Sequence, residues 1–574
     1  MSEFRESSGQ TPARAPVAGT NAICRFRFGA AAALVIAFAA VLRLAFIGRF
    51  EVWLDEAYCF AVAKKPLSLI FADLAFDNGP PLYYIMLHYW MKVFGEGPAA
   101  IRSLSAVFST GAVAVVVFWN TPWFSKTARL LAGFTLAITP LAIYYGQEAR
   151  MYSPVVFFVL VSMVFLERGL RLGGFLNWAL MALSTALGLY TSYVAIFLVP
   201  TGYIVTAIEY VATVHPEGLG KRFWNLFFAH VAAALLFSPW LPVFLRQPSA
   251  EAVQWIGPIW EKYDKTLLPL QSASLMTTGG AYYPRYLRNL YQGPERTSMV
   301  REATKEGREK SFSLKIASSV PSWLALSVMG LLSLFVLAAA LRRQEPFPYR
   351  ALLVAWVLLS FMVPIVMSYF RPMFVLGRYE LTGVPAAAVL FGIGFSRQKR
   401  VPRAVCIAAA VLLFAYSWAY MYSWSETRGL GKKAGILRAA ASPGDVVLCE
   451  AFEYAQAYYH VGPARDSVTW LTCPLDTIKH AAWIDYDRWL WPGWEMPRDA
   501  MYQAAAAALA EAIEKAPPGK AVIIVRPVGV GGWMAAMDGA LRTPLVKAVD
   551  AGGVVADMEA SKPQDGIVVL RRPQ

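Results

Sequence analysis

Long apolar runs separated by short polar segments recur along about the first three quarters of the chain. A helix needs about twenty mostly apolar residues to cross the hydrocarbon layer of a bilayer, and by that criterion the pattern predicts about eleven membrane-spanning helices. The fifth and sixth divide one apolar stretch near Tyr190–Tyr193. We place the helices at residues 29–49, 100–120, 127–145, 153–168, 175–190, 193–210, 225–245, 320–341, 350–369, 380–396 and 404–424.

The composition agrees with this pattern. Only 16% of the 574 residues are charged, whereas a soluble domain carries about a quarter. The net charge of +15 would suit a nucleic-acid partner if the basic residues formed one patch. They occur instead in short clusters between the apolar runs, which is typical of membrane topology. We therefore predict an integral membrane protein surrounded by lipids, with no nucleic acid as a partner.

The positions of lysine and arginine also predict the orientation. Cytoplasmic loops of membrane proteins are enriched in these residues. Alternate short connections carry them, so we place the N-terminus in the cytoplasm and segments 50–99, 246–319 and the chain after about 425 outside. The basic connections contain Arg25 and Arg27, Lys126 and Arg129, Arg168 and Arg171, Lys221 and Arg222, Arg342, Arg343 and Arg350, and Arg397, Lys399, Arg400 and Arg403.

The chain divides into three parts. Residues 1–28 are predicted to be a disordered cytoplasmic tail and residues 29–425 the membrane domain. Residues 426–574 alternate short apolar runs with helical patterns, which predicts an extracytoplasmic α/β domain. The patterns that support this domain are Val446–Leu448, Ala521–Val525 and Ile567–Leu570 as strands and Met501–Ala516 as a helix.

Two features of the C-terminal part, and the cysteines of the whole chain, have simple interpretations. The loop Gly529–Gly532 is more typical of a turn than of a phosphate cradle. Tryptophans at 483, 489, 491 and 494, near acids at 485 and 487, suit packing or an interfacial belt better than a sugar platform. The five cysteines include no CxxC pair, so they do not suggest a metal site or a disulfide framework. A bond between Cys449 and Cys473 remains open.

The first outer segment carries candidate chemistry. Asp55 and Glu56 are adjacent and follow the first span closely, flanked by Trp53, Tyr58 and Phe60. A carboxylate that is partly dehydrated at a membrane surface is costly unless it has a partner or a role. Solvated acids are also common in loops, so these residues alone leave a functional site and a plain loop equally open.

The surrounding motifs extend the pattern. They are Asp55-Glu56-Ala57-Tyr58, Pro80-Pro81-Leu82-Tyr83-Tyr84, Phe94-Gly95, Ile101-Arg102 and Gln147-Glu148-Ala149-Arg150-Met151-Tyr152-Ser153. In combination they resemble the polytopic glycosyltransferases with the GT-C fold, family 39. This branch contains the protein O-mannosyltransferases and the aminoarabinose transferases of bacterial lipopolysaccharide. The resemblance covers about residues 40–210.

The resemblance implies a GT-C membrane domain and an enzyme that moves a hexosyl or pentosyl group from a polyprenyl-phosphate donor. The acceptor is expected to be a hydroxyl of a lipid, glycan or protein on the outer face of a bacterial cytoplasmic membrane. Asp55 is implied as the base, Glu56 as a ligand of the sugar or acceptor, and Glu148 as a group that orients the acceptor. Gly79 and Ser192 depart from the family, since many relatives have histidine at those positions.

This chemistry needs a base for the acceptor hydroxyl and cations for the departing phosphate. Arginines at the outer ends of spans suit the phosphate, although arginines at helix ends also reach toward lipid headgroups. Adjacent acids can also bind Mg²⁺ or Mn²⁺, so the use of a divalent cation is open. The predicted phosphate ligands are Arg150, Arg378, Arg102 and Arg371, and the predicted substrate contacts are Tyr83, Tyr84, Tyr152 and Tyr379.

A polytopic transporter or flippase of a lipid-linked or small substrate is the main alternative. Transporters place ionisable groups near the middle of the membrane and often contain inverted repeats. Here the acids cluster at one surface, no repeat relates the halves, and Arg43 lies near the outer end of its span. A scaffold with an outer binding domain would explain the C-terminal part but not the acid-rich first segment.

Overall fold

The structure is a computed structural model. It describes residues 18–77, 79–212, 218–247, 256–261, 263–278, 322–342, 348–425, 432–450, 453–473, 498–526, 533–550 and 554–573. The Gly529–Gly532 loop, the four tryptophans between 483 and 494, residues 1–17 and most of segment 246–319 lie outside this part of the chain.

The N-terminal three quarters of the described chain are helical. One difference from the sequence prediction is that α1 begins at Ala18, inside the predicted disordered tail. The helices are α1 Ala18–Leu44, α2 Leu54–Lys64, α3 Leu67–Phe76, α4 Leu82–Phe94, α5 Pro98–Phe118, α6 Lys126–Ile138, α7 Pro140–Gly146, α8 Tyr152–Leu172, α9 Phe175–Thr191, α10 Pro200–Ala212, α11 Leu219–Phe237, α12 Leu241–Arg246, α13 Ile256–Glu261, α14 Leu268–Thr278, α15 Ser322–Leu341, α16 Pro348–Ser368, α17 Val384–Ser396, α18 Arg400–Ser425 and α19 Lys432–Ala440.

Nine of the eleven predicted spans coincide with a single helix or with a helix extended by a 3₁₀ turn, whereas spans 127–145 and 225–245 each contain two helices, α6 with α7 and α11 with α12. Within the described chain, five helical segments are long and apolar enough to cross a membrane, and the bent pair α6–α7 would be a sixth. The multi-pass membrane character is therefore confirmed, while the number eleven stays a prediction. The division of the long apolar stretch is also observed, because α9 ends at Thr191 and a 3₁₀ turn begins at Tyr193.

The break between α6 and α7 has a clear cause. The two helices meet at 61°, where Pro140 has no N–H to continue the α6 hydrogen-bond ladder. Arg43 of α1 donates to the carbonyl groups that the break leaves without helical partners, at 3.1 Å to Leu136 O and 2.6 Å to Ala137 O. Its Nε also donates to Ser109 Oγ of α5 at 2.9 Å. A single buried guanidinium thus joins three helices at the bend.

The first outer segment is not a simple loop, since it folds into α2, α3 and α4. At the start of α2, the carboxylate of Glu56 accepts a 3.4 Å hydrogen bond from the backbone N–H of Trp53, and acids in a first turn also suit the helix dipole. Asp55 and Glu56 are both buried there. The apolar face of α2 packs on Tyr83 and Leu87 of α4 in a core separate from that of the spans.

The C-terminal part is an α/β domain, as predicted. Its five-stranded sheet has the order β2-β1-β3-β5-β4, with β1 parallel to β2 and β3 and with β5 antiparallel to β3 and β4. The elements are β1 Val446–Glu450, α20 Tyr454–His460, β2 Thr469–Cys473, α21 Arg498–Lys515, β3 Ala521–Val525, α22 Trp533–Asp550, β4 Val555–Ala556 and β5 Ile567–Arg571.

The possible disulfide in this domain does not form. Cys473 pairs in register with Glu450, the residue after Cys449. Successive side chains of a strand point to opposite faces, and the two cysteines accordingly belong to separate cores on the two sides of the sheet. Both are free thiols.

The Arg43 contacts generate a stability prediction. Arg43→Leu should leave the carbonyl groups at the α6–α7 bend without their donor, and hydrogen bonds to charged groups contribute about 1.5–3 kcal/mol each. We expect the unfolding temperature in detergent to fall by several degrees. Ser109→Ala is the control, because it removes one acceptor of Arg43 and the 3.1 Å hydrogen bond to Ala142 O but leaves the Arg43 contacts at the bend, and it should have a smaller effect. Equal unfolding temperatures for Arg43→Leu and the natural protein would contradict this role.

Candidate active site

An arginine–glutamate pair fixes the start of α2. Arg102 of α5 donates from Nε to Oε1 of Glu56 at 2.7 Å and from Nη2 to Oε2 at 2.6 Å. Both side chains are almost fully buried. The two parallel hydrogen bonds form the bidentate arrangement that suits a planar guanidinium group. Glu56 is therefore held in one orientation, and its charge is balanced inside the protein.

The other donors of Arg102 are used as well. They reach three backbone carbonyl groups in the segment between α1 and α2, each at 2.9 Å: Ile47, Phe50 and Glu51. A guanidinium group has five N–H donors, and these contacts together with the two to Glu56 account for all five. This arrangement disagrees with the prediction that Arg102 binds the donor phosphate, because no donor is left over.

Glu56 is similarly occupied. Besides Arg102, its Oε1 accepts a 2.8 Å hydrogen bond from the backbone N–H of Ala149, which lies between α7 and α8. One carboxylate therefore joins α2, α5 and the connection that carries Glu148 and Arg150. A structural role fits these contacts better than the predicted contact with a sugar or acceptor.

Asp55, the neighbour of Glu56, has different partners. Successive residues of a helix point about 100° apart, so the two carboxylates face different surroundings. Oδ2 of Asp55 lies 3.2 Å from Nη2 of Arg378 and 3.6 Å from Nη2 of Arg150. The ring of Tyr152 lies close to both guanidinium groups, whose Cζ atoms are 5.9 Å and 5.6 Å from its centroid. The structure thus brings four of the predicted site residues together.

The turn that carries Arg378 is fixed by Glu380, a fully buried carboxylate. Its Oε2 accepts a 2.8 Å hydrogen bond from the N–H of Gly377, and its Oε1 accepts one of 2.8 Å from Ser272 Oγ of α14. Gly377 has a φ of 92°, which glycine adopts without the steric cost of a Cβ. Sequence reasoning gave Glu380 no role, although an acid at the start of a span signals a need for partners.

Glu148 lies between α7 and α8 and is almost fully buried. Burial raises its pKa from 4.5 to about 8, the negative charges of Glu56 and Asp55 also raise it, and Arg150 and Arg378 lower it. At neutral pH the carboxyl group is therefore mostly protonated. With Glu148 neutral, the charges of Asp55, Arg150 and Arg378 sum to one positive charge, which suits an anionic ligand.

Two predicted substrate contacts lie in the core instead. Tyr83 and Tyr84 of α4 are 0% and 3% exposed. The ring of Tyr84 packs edge-on against Tyr58 of α2 at a centroid distance of 6.2 Å, while Tyr58 donates to Asp77 Oδ2 at 2.6 Å. Because both rings are buried, Tyr83 and Tyr84 pack in the core beside α2 and have no surface that a substrate could contact.

The remaining predicted residues lie around Arg378 or away from it. The hydroxyl of Tyr379 donates to Met373 O at 2.7 Å, and its ring stacks on Phe374 at 5.5 Å, so Tyr379 holds the turn together. Arg371 is exposed after α16 and, in the described part of the chain, takes no part in the Asp55 cluster. Its predicted role as a phosphate ligand has no support in this arrangement.

The carboxylates do not form a metal site. Among the described residues, no group of three or more histidine, cysteine, aspartate or glutamate side chains could hold a metal ion. Asp55 and Glu56 instead face guanidinium groups, which would repel a divalent cation at such distances. The residues present do not fit Mg²⁺ or Mn²⁺ here, and we assign no step to a cation.

A small cavity adjoins the acids. It has a volume of about 50 Å³, and its polar lining consists mainly of Glu51, Glu56, Arg102, Gln147 and Glu148. The rest of the lining is apolar or aromatic and includes Phe46, Phe50, Trp53, Tyr144 and Trp418. A space of this volume has room for a few water molecules.

One segment of the chain is similar to a known protein family. Residues 78–242 match the family model described as dolichyl-phosphate-mannose-protein mannosyltransferase. This segment is similar to that family, and the resemblance predicted from the motifs is confirmed. The protein YkcB of Bacillus subtilis (strain 168), whose name proposes a mannosyltransferase, is 27% identical over 154 residues, which are 25% of this chain and 21% of that protein. The match thus spans about a fifth of the relative's length.

Two solved structures are also similar. ArnT from Cupriavidus metallidurans bound to undecaprenyl phosphate has a TM-score of 0.46 and 13% identity, and the similarity covers 94% of this chain and 99% of that one. Archaeal oligosaccharyltransferase AglB from Archaeoglobus fulgidus, in complex with an inhibitory peptide and a dolichol-phosphate, has a TM-score of 0.49 and 11% identity, with 88% and 70% covered. Similarity at this level gives no correspondence between individual residues.

The family segment contains only part of the site. Glu148, Arg150 and Tyr152 lie within residues 78–242, whereas Asp55 and Arg378 lie outside it on either side. Tertiary structure brings these two residues to the segment, with Asp55 on α2 and Arg378 on the turn before α17.

The raised pKa of Glu148 predicts a pH-dependent stability. The folded protein holds this proton up to a pKa of about 8, against 4.5 for an ordinary glutamate. The resulting stability is fully present below about pH 4.5 and is lost as the pH rises to about 8. Relative to Glu148→Gln, whose amide does not titrate, the natural protein should therefore lose thermal stability between about pH 5 and pH 8.

This difference can be measured as the unfolding temperature of both proteins in detergent across that pH range, followed by tryptophan fluorescence. Other titrating groups act on both proteins equally, so only the difference between the two temperatures is informative. A difference that stays constant with pH would show that Glu148 is already ionised at neutral pH.

Proposed function

We propose that this protein is a membrane glycosyltransferase that moves a sugar from a polyprenyl-phosphate donor to an acceptor hydroxyl, with Asp55 as the base. The observation that carries the proposal is the Asp55 carboxylate held between Arg150 and Arg378, at 3.6 Å and 3.2 Å. One acid and two fixed cations are the groups that this transfer requires. The similarity of residues 78–242 to a lipid-phosphate-mannose-dependent family supports the same reaction.

The donor phosphate is bound by Arg150 and Arg378 in this proposal. A glycosyl phosphodiester carries one negative charge, and the net positive charge of the cluster at neutral pH matches it. Arginine suits this task because its planar group binds two phosphate oxygens at once and remains charged when partly buried. Arg378 is the more exposed of the two, with 24% of its side chain accessible against 9% for Arg150.

The transfer is a single displacement. The acceptor oxygen attacks the anomeric carbon while its proton passes to Oδ of Asp55. The bond between that carbon and the phosphate oxygen breaks, and polyprenyl phosphate leaves with the electron pair. Arg150 and Arg378 stabilise the negative charge that grows on the leaving phosphate. Attack opposite to the leaving group inverts the anomeric centre.

Donor binding also prepares the base. Without a donor, both guanidinium groups lie near the Asp55 carboxylate and would compete with a hydroxyl for its lone pairs. A phosphate that draws Arg378 toward itself frees the Oδ2 atom of Asp55 to accept the acceptor proton. Arg150 remains tied to α2 through its 3.3 Å hydrogen bond from Nη1 to the backbone oxygen of Asp55. Donor binding thus favours transfer of the acceptor proton to Asp55.

The names of the relatives suggest where to begin with substrates. The family description and the name of YkcB both point to mannose, so the first donor to test is polyprenyl-phosphate mannose, with a protein hydroxyl as acceptor. Other hexoses, pentoses, and lipid or glycan acceptors follow. We place the reaction on the outer face of a bacterial cytoplasmic membrane. The basic connections, which favour the cytoplasm, lie at the opposite ends of the spans from the proposed site.

The decisive experiment incubates the purified protein with a panel of polyprenyl-phosphate sugars and measures release of polyprenyl phosphate. Release that depends on an acceptor supports the transferase. The alternative transporter or flippase would move an intact lipid-linked sugar across proteoliposome membranes without cleaving it, and that result would replace the proposal.

Asp55→Asn tests the base. The change keeps the size of the side chain but removes its negative charge, so turnover should fall by about a hundredfold or more, as is typical when a general base is removed. Donor binding should be retained or tighten, because a negative charge beside the phosphate site is lost. Steady-state kinetics and direct donor binding measure the two effects. Near-normal turnover of Asp55→Asn would exclude Asp55 as the base.

Two variants serve as controls for this assignment. Arg378→Ala should raise the KM for the donor while the protein remains folded, because the side chain is partly exposed. Glu56→Gln should lower the thermal stability, since it weakens the buried pair with Arg102, and turnover per folded molecule should fall less than in Asp55→Asn. A Glu56→Gln protein that is stable but inactive would move the base to Glu56.

The orientation predicts which positions a membrane-impermeant thiol reagent reaches in intact spheroplasts. Lys562→Cys, exposed in the C-terminal domain, should be labelled, whereas Lys399→Cys, exposed between α17 and α18, should be labelled only after lysis. Cys59, Cys406, Cys449 and Cys473 are buried, and the unsubstituted protein provides the background. The reverse pattern would place both the C-terminal domain and the reaction in the cytoplasm.

A further inference from the structure

The C-terminal domain touches the helix that carries Asp55. Its helix α20 packs against α2, and its contacts lie at two places, one just before α2 and one within α2. The first is a hydrogen bond of 3.0 Å between His460 Nε2 and the backbone oxygen of Val52. Both residues are buried. Val52 directly precedes Trp53, the N-cap residue of α2.

The protonation state of His460 is compatible with the hydrogen bond to the backbone oxygen of Val52. Burial lowers the pKa of its imidazole, so the ring is neutral at neutral pH. A neutral imidazole has one N–H, and a bond to a carbonyl oxygen requires that this proton be on Nε2. A neutral donor in a buried position holds the carbonyl group of Val52 without adding a charge near Glu51 and Arg102.

The second contact lies further along α2, at Phe60. Its ring packs edge-on against Tyr459 with centroids 4.9 Å apart, and the guanidinium of Arg465 lies 4.7 Å from the ring centroid. Phe60 has no exposed surface, so this part of α2 is enclosed by the C-terminal domain. Aromatic rings prefer this edge-on arrangement, so the contact favours one relative orientation of the two side chains.

The same two residues also hold the segment before α5. The hydroxyl of Tyr459 donates to the backbone oxygen of Glu96 at 3.0 Å, and Nη1 of Arg465 lies 3.3 Å from Glu96 Oε2. Lys64, at the end of α2, also forms an ion pair with Glu96. The C-terminal domain therefore contacts the residue just before the N-cap of α2, the middle of α2, and the segment before α5 that pairs with the end of α2.

We propose that the C-terminal domain positions Asp55, and that His460 is the positioning residue that transmits this through Val52. The inference rests on the proposed function, in which Asp55 is the base. His460 touches no substrate in this proposal. It sets the angle of the first turn of α2, and a displacement of about 1 Å at a reacting group can reduce turnover by about a hundredfold.

Cys59 provides a reporter that does not depend on activity. It lies on α2, one turn after Asp55, and is completely buried. Its Sγ is 3.3 Å from Nη1 of Arg150, and burial raises the pKa of the thiol to about 11. The thiol should therefore react very slowly with iodoacetamide while α2 is held in place. Mass spectrometry of peptides measures its labelling rate with buried Cys406 of α18 as an internal reference.

The test compares three variants of the full-length protein. His460→Ala removes the hydrogen bond to Val52, His460→Gln retains an N–H donor of similar reach, and Tyr459→Phe removes only the bond to Glu96. The control is Arg571→Ala on β5 of the same domain. This change breaks the exposed ion pair between Arg571 and Asp557. Unfolding temperatures identify any variant that does not fold.

We expect His460→Ala to label Cys59 at least about tenfold faster than the natural protein and to lose turnover by about tenfold or more, with a smaller change in donor KM. His460→Gln should recover most of both quantities, and Arg571→Ala should change neither. Tyr459→Phe should show a smaller increase in labelling, which keeps the test usable if His460→Ala does not fold.

The outcomes separate the two proposals. If Cys59 labelling in folded His460→Ala equals that of the natural protein, the positioning role is wrong whatever the activity. If labelling of Cys59 and Cys406 rises together, the variant is loosened generally and the role is again wrong. If Cys59 labelling responds as expected but no polyprenyl-phosphate sugar is cleaved, the contact positions α2 while the proposed reaction fails.

Discussion

The buried pair of Glu56 and Arg102 is the interaction on which the outer part of the structure depends. Two charges removed from water must satisfy each other and their remaining hydrogen-bonding capacity, or the desolvation cost is not recovered. Here the carboxylate also accepts from Ala149, and the guanidinium donates to three carbonyl groups before α2. The pair therefore fixes four chain segments relative to one another, and the position of α2 follows from it.

That constraint explains how adjacent acids acquire different roles. Glu56 is fully engaged and points into the junction, while Asp55 is turned toward Arg150 and Arg378 at longer distances. Because these contacts are longer, Asp55 can exchange them for contacts with a substrate. Glu56, with short hydrogen bonds on both carboxylate oxygens, cannot do so. Glu148 adds a third acid, which burial keeps mostly protonated at neutral pH. The cluster thereby keeps a positive charge although it contains three carboxyl groups.

Several parts of the chain that are distant in sequence support this cluster. Glu380 and Ser272 of α14 fix the backbone beside Arg378, and Arg43 secures the α6–α7 bend that precedes Glu148. The C-terminal domain reaches α2 through His460 and Tyr459. Each support includes a buried polar side chain with at least one backbone partner, because an unsatisfied polar group in an apolar setting costs more than the contact contributes.

The sequence by itself determined the helical membrane fold, the C-terminal α/β domain and the importance of the first outer segment. Apolar length and strand periodicity are local properties, and each predicted span has a helical counterpart near its predicted bounds. Asp55 and Tyr152 were predicted from motifs that resemble a known family, and Arg150 and Arg378 because arginines are unexpected at the outer ends of spans. The start of α1 at Ala18 was missed, since polar residues there conceal a helix that extends beyond the apolar run.

Only the tertiary structure decided which charges serve the site. Arg102 and Arg150 look equivalent in the sequence, yet every donor of Arg102 is used internally while Arg150 faces Asp55. Tyr83 and Tyr84 belong to the motif but lie in the core, and Glu380, which the sequence left without a role, holds the Arg378 turn. The physical reason is that a charge's role depends on which partners surround it, and those partners come from segments hundreds of residues apart, as Asp55 and Arg378 do.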